Sequence, residues 1–512
     1  MSNAQPDLTA CVILLLHKVH PHSQREDLLV WMAQRIPEKD KFLSGFHAFP
    51  GGRLSEQESQ LAREGNTQEA LVKCAARELY EELGLVLCQG NQSLWIEQPL
   101  PEVSFDQRLR TLNTTFDHTR YIPSGRWTTP EWAPLRFETE FFSVSLTQEE
   151  SERFLNAPDQ TLTHTRAGLS QGSAKTPEQW LTLHEQGEVL LSLPTLEYLK
   201  KLSSQESQDS IYHDESNCTD PVHQYAHTAN TWMVPLKSPT LLPATHTNAY
   251  VIGDMESFVV LDPGADNLES LSPLLTLINR LIELGSTCEA IILTHHHPDH
   301  ISGVPLLLEH HSAPVWASAE TLQLSARTIP KDTQTKALKD KDLLPIGVSH
   351  TLEVLLTPGH APGHVALLHR ESSAVFCGDL VASQGTILVA PPRGHMGDYL
   401  ASLQRVHDLE PGSLHPAHGW PIKHARDLLS YYMEHRHQRE LKVIAAIKEH
   451  SDGSPFMAHE LVPIVYQDIP KDVWPIAALS LEAHLIHLTE HHPQLAHAHE
   501  EPSMPGHYIW ST

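Results

Sequence analysis

The sequence lacks an apolar run long enough to cross a membrane. Its only apolar run near the start, residues 11–16, is far shorter than the ~18 residues that a transmembrane helix needs. No basic residue precedes this run, as a secretory signal would require. We therefore expect no membrane segment and interpret residues 11–16 as a first core strand.

Cysteine and basic residues are also scarce. Six cysteines are spread over 512 residues with no CxxC, which disfavours a disulfide framework or a cysteine-rich zinc site and favours a reducing, cytoplasmic setting. A net charge of −27 disfavours non-specific binding to nucleic acid or to an anionic membrane surface. Histidine, in contrast, is abundant: its 37 copies outnumber the 36 lysines and arginines.

The pattern along the chain predicts several domains, as the length does. Residues 203–223 are rich in Ser, Gln, Asp and Glu and are typical of a linker. From residue 248, short apolar strands alternate with helical segments, and polar residues gather where strands end. Past residue 430 the spacing turns helical. We predict a domain at 1–200, a linker at 201–236, a domain at 237–428, a small module at 429–493 and a tail at 494–512.

A histidine-rich segment follows the predicted strand 290–293. Residues 294–300 read THHHPDH, so that two histidines at i and i+2 leave a strand end together and an Asp-His pair follows. Further strands precede His360 and Asp379, and His418 comes last. Imidazole and carboxylate ligands suit Zn²⁺, Fe²⁺ or Mn²⁺. One such histidine alone would be an ordinary surface residue, but the ordered combination predicts a metal site.

These segments resemble the ordered motifs of the metallo-β-lactamase superfamily over about residues 247–422, with residues 261–264 (LDPG) similar to the first motif. The resemblance implies an αββα sandwich with two metal ions at the sheet edge, zinc first and iron or manganese as alternatives. It implies that the first ion is held by His295, His297 and His360, the second by Asp299, His300 and His418, and that Asp379 bridges both. It further implies that Asp299 is catalytic, that Asp262 orients the loop, and that His364 and His296 are not ligands. Two such ions would activate water and polarise the scissile group.

The details of the motifs favour a branch within that superfamily. Asp at position 379 resembles the glyoxalase II and ribonuclease branch, and His297 stands where oxygen-reducing flavodiiron proteins carry Glu. Residues 247–253, the TPGHAPGH segment and the helical tail resemble the β-lactamase-like endoribonucleases, which end in a winged helix that residues 440–491 resemble. Residues 431–500, however, carry five Lys or Arg against ten Asp or Glu, which disfavours direct phosphate contact and favours packing or dimerisation.

A second motif lies in the N-terminal part, where residues 77–85 read RELYEELGL. On a helix, Glu78, Glu81 and Glu82 fall at i, i+3 and i+4 and share one face. Three carboxylates suit Mg²⁺ or Mn²⁺ bound to a diphosphate. Arg77 can pair with a neighbouring carboxylate, and Gly84 ends the helix. A solvated acidic face is the alternative interpretation.

This segment resembles the Nudix box. Glu69, eight residues before Arg77, is similar to the earlier Glu of the box, but Arg63 stands where its glycine is expected. A glycine pair, 51–52, lies upstream and leaves an insertion of eleven residues relative to the box. Residues 45–54, 136–142 and 193–199 resemble coenzyme A diphosphatases that carry insertions here. The resemblance covers about 8–200 and implies Glu78 and Glu82 as metal ligands, with Arg77, Glu78 and Glu81 as catalytic residues.

The expected fold is therefore a multidomain α/β and α+β chain: a Nudix α/β/α domain, a metallo-β-lactamase sandwich and a winged-helix module. The expected function is hydrolysis of an ester, thioester or phosphodiester at a binuclear site, fused to a Mg²⁺- or Mn²⁺-dependent diphosphate hydrolase. The expected partner is a small-molecule substrate such as a coenzyme A thioester or a nucleotide diphosphate, with a homodimer left open. The alternative is an endoribonuclease whose Nudix half senses nucleotides without catalysis, although the net charge disfavours RNA.

Overall fold

The computed structural model describes residues 6–19, 26–36, 45–89, 94–96, 103–129, 136–156, 169–186, 188–204, 213–215, 231–242, 244–383, 385–450, 455–497 and 507–510. The chain divides into two compact units, Met1–Ala229 and Asn230–Thr512. Within the described ranges, no helix has the length and apolar character needed to span a bilayer.

The first unit is built on an eight-stranded mixed sheet in the order β10-β7-β8-β1-β2-β3, with β4 paired to β1 and β9 paired to β2. A two-stranded sheet, β5-β6, lies apart from it. The strands are β1 (Asp7–Val19), β2 (Glu26–Arg35), β3 (His47–Ala48), β4 (Gly51–Arg53), β5 (Leu85–Leu87), β6 (Leu94–Ile96), β7 (Ile122–Thr128), β8 (Phe137–Ser145), β9 (Leu169–Lys175) and β10 (His213–Glu215). The helices are α1 (Glu56–Arg63), α2 (Thr67–Leu83), α3 (Phe105–Thr111), α4 (Gln148–Asn156), α5 (Pro177–Glu185) and α6 (Leu193–Ser203).

Both faces of this sheet are covered by helices because β1 is apolar on both sides. Val12 and Leu14 pack in a cluster with α2, whereas Ile13 and Leu15 pack in a second cluster with α5 and α6. This alternation follows from the two-residue period of a strand. Helix α2 ends where Gly84 adopts a left-handed φ of 67°, as the sequence predicts. The helix that carries the glutamates is thereby fixed against the central strand.

The second unit contains two sheets, in the orders β11-β12-β13-β14-β15-β16 and β17-β18-β19-β20-β21. The strands are β11 (Thr231–Lys237), β12 (His246–Gly253), β13 (Ser257–Leu261), β14 (Thr287–Ile292), β15 (Val315–Ser318), β16 (Thr335–Leu338), β17 (Leu343–Ile346), β18 (His350–Leu356), β19 (Val365–His369), β20 (Ala374–Gly378) and β21 (Ser413–Pro416). The helices are α7 (Leu268–Glu283), α8 (Pro298–Ile301), α9 (Val304–His310), α10 (Ala319–Leu324) and α11 (Met396–Asp408).

The two sheets pack face to face between two helical layers. The ring of Tyr250 on β12 lies 5.0 Å from the ring of Phe376 on β20, and its hydroxyl donates to the Pro416 carbonyl at 2.8 Å. Helix α7 packs on the first sheet and α11 on the second. The Asn248 side-chain amide donates to the carbonyls of Pro416 (3.0 Å) and Gly419 (2.8 Å), which ties the end of β21 to β12. The result is the αββα sandwich that the sequence predicts.

A smaller module follows the sandwich. Its elements are α12 (Ala425–His450), β22 (Phe456–Met457), α13 (Ala458–Val465), α14 (Trp474–His491), β23 (Leu495–His497) and β24 (His507–Trp510). Residues after 493 were expected to be a tail without pattern, but β23 and β24 form a sheet with β22 in the order β22-β24-β23. Leu495, Tyr508 and Trp510 are buried in the module's core, which explains why these short strands are ordered. Similarly, β11 begins inside the predicted linker 201–236, because its buried side chains complete the first sheet.

Candidate metal centre and glutamate cluster

The sandwich delivers seven polar side chains to one place, because each follows the end of a strand. His295 and His297 come directly after β14, and α8 carries Asp299 and His300. The remaining three follow three strands of the second sheet: His360 after β18, Asp379 after β20 and His418 after β21. The structure thus brings together all seven ligands that the sequence resemblance implied.

The first group consists of His295, His297 and His360. Nε2 of His295 lies 3.0 Å from Nδ1 of His297, and Nε2 of His360 lies 2.9 Å from the same atom. One ligand atom from each residue lies within 4.8 Å of the other two. Three imidazole nitrogens converging in this way are suited to share one cation.

The second group consists of Asp299, His300 and His418, whose ligand atoms also lie within 4.8 Å of one another. Oδ2 of Asp299 lies 3.5 Å from Nε2 of His418 and 3.9 Å from Nε2 of His300. This group therefore offers one carboxylate and two imidazoles, a donor set that suits zinc, iron or manganese.

Asp379 stands between the two groups and turns one oxygen to each. Its Oδ2 lies 3.4 Å from Nε2 of His360, and its Oδ1 lies 3.5 Å from Nε2 of His300 and 3.3 Å from Nε2 of His418. Oδ1 of Asp379 and Nε2 of His300 are buried without a hydrogen-bond partner among the described residues. Buried polar atoms are normally paired. The residues therefore fit a site for two ions bridged by one carboxylate.

Contacts outside the two groups orient the imidazoles. Nδ1 of His360 lies 2.8 Å from the Leu388 carbonyl, and Nδ1 of His418 lies 2.9 Å from the His246 carbonyl. Because a carbonyl can only accept, Nδ1 carries a proton in both rings, so Nε2 is the nitrogen that each ring turns to the centre.

Asp262 and His364 support the centre without entering either group. Asp262 accepts from the Thr294 backbone N–H at 2.8 Å and lies 2.8 Å from Nδ1 of His300. Nε2 of His364 accepts from the Asp379 backbone N–H at 3.1 Å, so this histidine holds the bridging residue by its main chain. Both residues therefore contact members of the two groups from outside them. A Cβ at Gly264 would overlap the Asp299 carbonyl, so the loop after β13 needs glycine there.

The electrostatics of the two groups differ. Burial and neighbouring imidazoles lower the pKa of His297 to about 3 and that of His295 well below its usual value. Burial alone would lower the pKa of His418. The carboxylates of Asp379 and Asp299 nevertheless raise this pKa to about 10. Burial would also raise the pKa of Asp379, but His418 and His300 hold it well below its usual value. Without metal, protons on the histidines of the second group thus offset the negative charge of the carboxylates. A bound cation would replace these protons.

The first unit holds a glutamate cluster, defined as Glu58, Glu78, Glu81 and Glu82 around Arg77. Nη1 of Arg77 donates to Oε1 of Glu78 and to Oε2 of Glu81, both at 2.8 Å. Glu82 is buried and accepts from the Gly51 backbone N–H at 3.1 Å. Burial raises the pKa of both Glu78 and Glu82, a cost that a divalent cation would offset. Within the described part of this unit, no three ligand atoms of this kind lie within 4.8 Å of one another.

Glu58, which the sequence analysis did not single out, contacts Arg77. Glu69 is exposed in the first turn of α2. Glu58 is 1% exposed, and its two carboxylate oxygens accept from Nε of Arg77 at 3.0 Å and from Nη2 at 3.2 Å. Glu58 follows Gly52 by six residues, the spacing expected between the glycine and the earlier Glu of the box. The six-residue spacing from Gly52 to Glu58 was the sequence signal that could have singled out Glu58.

Two family models match the second unit. Residues 242–432 match the metallo-beta-lactamase superfamily, and residues 458–491 match the beta-lactamase associated winged helix domain. Among curated proteins, the Beta-lactamase-like protein 2 homolog of Drosophila melanogaster is 26% identical over 255 residues, covering 48% of this chain and 84% of that protein. The homolog of Caenorhabditis elegans is 28% identical over 251 residues, covering 46% of this chain and 75% of its own length.

The solved structures that are similar to the chain include the following three. A Beta-lactamase domain protein from Burkholderia ambifaria is 20% identical with a TM-score of 0.48 and covers 55% of this chain and 91% of its own. A NUDIX hydrolase from Alicyclobacillus acidocaldarius is 22% identical with a TM-score of 0.33 and covers 41% of this chain and 97% of its own. TTHA1623, solved in a di-iron-bound form, is 32% identical with a TM-score of 0.31 and covers 37% of this chain and 96% of its own.

Proposed function

We propose that the second unit, which carries a metallo-β-lactamase superfamily domain and its associated winged helix, is a hydrolase that uses two metal ions to cleave an ester, thioester or phosphodiester bond. The observation that carries this proposal is Asp379, whose two oxygens face two separate ligand groups. Zinc is the first candidate for both ions, with iron or manganese as alternatives, because the donors are imidazoles and carboxylates.

When bound, two such ions lower the pKa of water and polarise the scissile group. The chain's own residues prepare the site for that chemistry. The first group supplies imidazoles whose lowered pKa keeps them neutral at physiological pH. Burial would raise the pKa of Asp299, but His300 and His418 lower it. The Asp299 carboxyl group is therefore ionised. An ionised carboxylate at this position is suited to accept a hydrogen bond from an attacking water and, with it, the proton.

The position of Arg393 favours a substrate that carries negative charge. It is exposed, and its Nη1 lies 2.9 Å from Nε2 of His296, the residue between the ligands His295 and His297. A guanidinium beside the centre would bind phosphate or carboxylate groups. We favour a coenzyme A thioester, because its phosphates would meet this charge and because the N-terminal unit resembles coenzyme A diphosphatases.

The experiment combines metal analysis with a substrate screen of wild type and Asp379→Ala. A transition-metal content that is about two ions per chain lower in the variant than in wild type, together with lost turnover, would support the binuclear hydrolase. Release of free thiol from acyl-CoA esters would support the thioester substrate. If labelled single-stranded RNA is cleaved and acyl-CoA is not, the thioester substrate is wrong and the ribonuclease alternative is supported. Unchanged metal content and turnover in Asp379→Ala would refute the proposal.

For the first unit we propose Mg²⁺- or Mn²⁺-dependent hydrolysis of a diphosphate linkage at the glutamate cluster. The support is the set of contacts around Arg77 and the burial of the Glu82 carboxyl group. Glu82→Gln should abolish release of phosphopantetheine from coenzyme A, whereas Glu69→Gln, on the exposed face of the same helix, should leave it intact.

A non-catalytic, nucleotide-sensing role is the second candidate for this unit. It is favoured by the spacing of the carboxylates, which do not form a three-ligand group within 4.8 Å in the described residues. Equal turnover of wild type and Glu82→Gln, together with binding of a nucleotide diphosphate, would support sensing over hydrolysis.

A further inference from the structure

A second group of histidines and carboxylates lies in the second unit, away from the seven residues of the metal centre. We call it the α14 cluster: His487, Glu490 and His491 from the last turns of α14, with His395 from the residue before α11 and Glu440 from α12. The first three offer ligand atoms that lie within 4.8 Å of one another. Two histidines at i and i+4 on a helix, as His487 and His491 are, form one face that suits zinc.

The two carboxylate oxygens of Glu490 contact two different histidines. Oε2 of Glu490 lies 3.7 Å from Nδ1 of His487, whereas Oε1 lies 3.1 Å from Nε2 of His395. Nδ1 of His395 faces Asp398, with the backbone nitrogen at 3.2 Å and carboxylate Oδ2 at 3.1 Å, so Nε2 is the nitrogen that faces Glu490. His395 therefore fixes one oxygen of Glu490 and leaves the other facing His487.

His487 lies between two glutamates. Its Nε2 is 3.7 Å from Oε1 of Glu440, which is within the range of an ion pair but too long for a hydrogen bond. Oε1 of Glu440 also lies 3.4 Å from Nδ1 of the fully buried His484. Nδ1 of His487 faces Glu490 and is buried without a hydrogen-bond partner among the described residues.

Position on the helix favours a cation as well. Helix α14 ends at His491, and the C-terminal end of a helix carries partial negative charge from its unpaired carbonyls. A simple network of histidine–glutamate ion pairs is the alternative, but it leaves Nδ1 of His487 unsatisfied. We propose that His487, Glu490 and His491 bind a further divalent transition-metal ion, zinc by donor type, with His395 and Glu440 orienting two of the ligands.

Such an ion would join the winged-helix module to the catalytic sandwich. His395 contacts Glu490 by its side chain, and its backbone N–H donates to the Gly359 carbonyl at 2.7 Å. Gly359 directly precedes the metal ligand His360. A cation on α14 would therefore restrain the segment that carries a catalytic ligand, and its role is structural rather than chemical.

The test is equilibrium dialysis of the full chain, stripped of metal, against buffered Zn²⁺, with elemental analysis. The variants are His491→Ala and Glu490→Gln, both at exposed positions, and the matched control is His459→Ala, an exposed histidine on α13. We expect each variant to bind one Zn²⁺ fewer than the control, or to bind it at least about tenfold more weakly. Zn²⁺ should also raise the melting temperature of the control more than that of the variants.

Asp379→Ala separates this site from the catalytic one. It should lose ions from the metal centre yet keep the ion that His491→Ala removes. Should His491→Ala and Glu490→Gln match His459→Ala in both Zn²⁺ stoichiometry and affinity, the α14 cluster is a network of ion pairs and the proposal is wrong. That outcome would leave the binuclear hydrolase untouched.

Discussion

Asp262 shows how much of the metal centre depends on residues that bind no metal. It lies directly after β13, with a left-handed φ of 48°, and accepts from both the N–H and the hydroxyl of Thr294. Its second oxygen also holds Nδ1 of His300. One carboxylate thus fixes the start of the histidine segment and the ring orientation of one ligand.

Replacing Asp262 by Asn tests that role. An amide offers one acceptor oxygen in place of two, so His300 or Thr294 loses its partner. We expect metal affinity to fall by about 10–100-fold, with most of kcat restored at saturating metal. Equilibrium dialysis and metal-dependent kinetics would measure both quantities, with the exposed Asp332→Asn as control. A variant with wild-type metal affinity would show that Asp262 is dispensable for orientation.

Glu58 and Glu69 form a matched pair for a second prediction. Glu58 is buried against Arg77, whereas Glu69 is exposed on α2. Glu58→Gln should lower the local stability of the first unit by about 1–3 kcal/mol, because it weakens charge-assisted hydrogen bonds to a largely buried guanidinium. Glu69→Gln should change it by less than about 0.5 kcal/mol. Hydrogen exchange of the α2 amides would measure the change in stability for both variants. Equal changes would contradict the conclusion that Glu58, and not Glu69, pairs with Arg77.

The grouping of the seven residues of the candidate metal centre could be predicted because each is part of a short motif at a strand end and the motifs keep their order. Glu58 was missed for the opposite reason, since it lies far from Arg77 in the sequence and Glu69 stands closer to Arg77. The α14 cluster was also missed. Its contacts join α11, α12 and α14, and helical spacing alone shows only the residues of one helix.

At the level of single elements, β21 contains a histidine inside the sandwich. The His415 ring lies 4.9 Å from the ring of Phe376, and its Nε2 lies 3.0 Å from the Ser413 hydroxyl. Burial lowers the pKa of His415 from 6.5 to about 3. The folded strand therefore requires the neutral imidazole across the whole mildly acidic range.

This shift predicts acid sensitivity. The unfolded chain takes up a proton on His415 near pH 6.5, but the folded chain does so only near pH 3, so stability is lost as pH falls through that window. At pH 5 the loss from this residue is about 2 kcal/mol. The urea midpoint of His415→Gln should depend less on pH between 5 and 7 than that of wild type or of the exposed-site control His310→Gln. If the urea midpoints of wild type and His415→Gln change with pH in the same way, His415 does not contribute to acid sensitivity.

Elements with a continuous apolar run or a helical apolar period were predicted from sequence, and the shortest strands were not. Residues 249–252 and 258–261 are buried at every position, and α14 buries Ala477, Leu481 and Leu485 at helical spacing. Strands β23 and β24 have three and four residues, too few to show a period. They exist because the module's core needs Leu495 and Tyr508, which is a property of the tertiary structure.

For the molecule as a whole, the division into two compact units places the two candidate sites in different units. We expect Asp379→Ala to remove turnover at the binuclear site and to leave diphosphate hydrolysis within about twofold of wild type. Glu82→Gln should remove diphosphate hydrolysis and leave turnover at the binuclear site unchanged. The double variant should lose both activities. Assaying both reactions in all four proteins measures this, and a loss of both activities in one single variant would reveal coupling.

The link between Asn248 and the turn at Gly419 has a consequence for how the centre is made. A chain that has completed only the first sheet presents four ligands on one segment but lacks His360, Asp379 and His418. The last ligand arrives only when the turn after β21 docks on β12, so a high-affinity site does not exist earlier in synthesis. Metal loading is therefore a late step of biogenesis, and the free energy of metal binding stabilises the docked pair of sheets rather than either sheet alone.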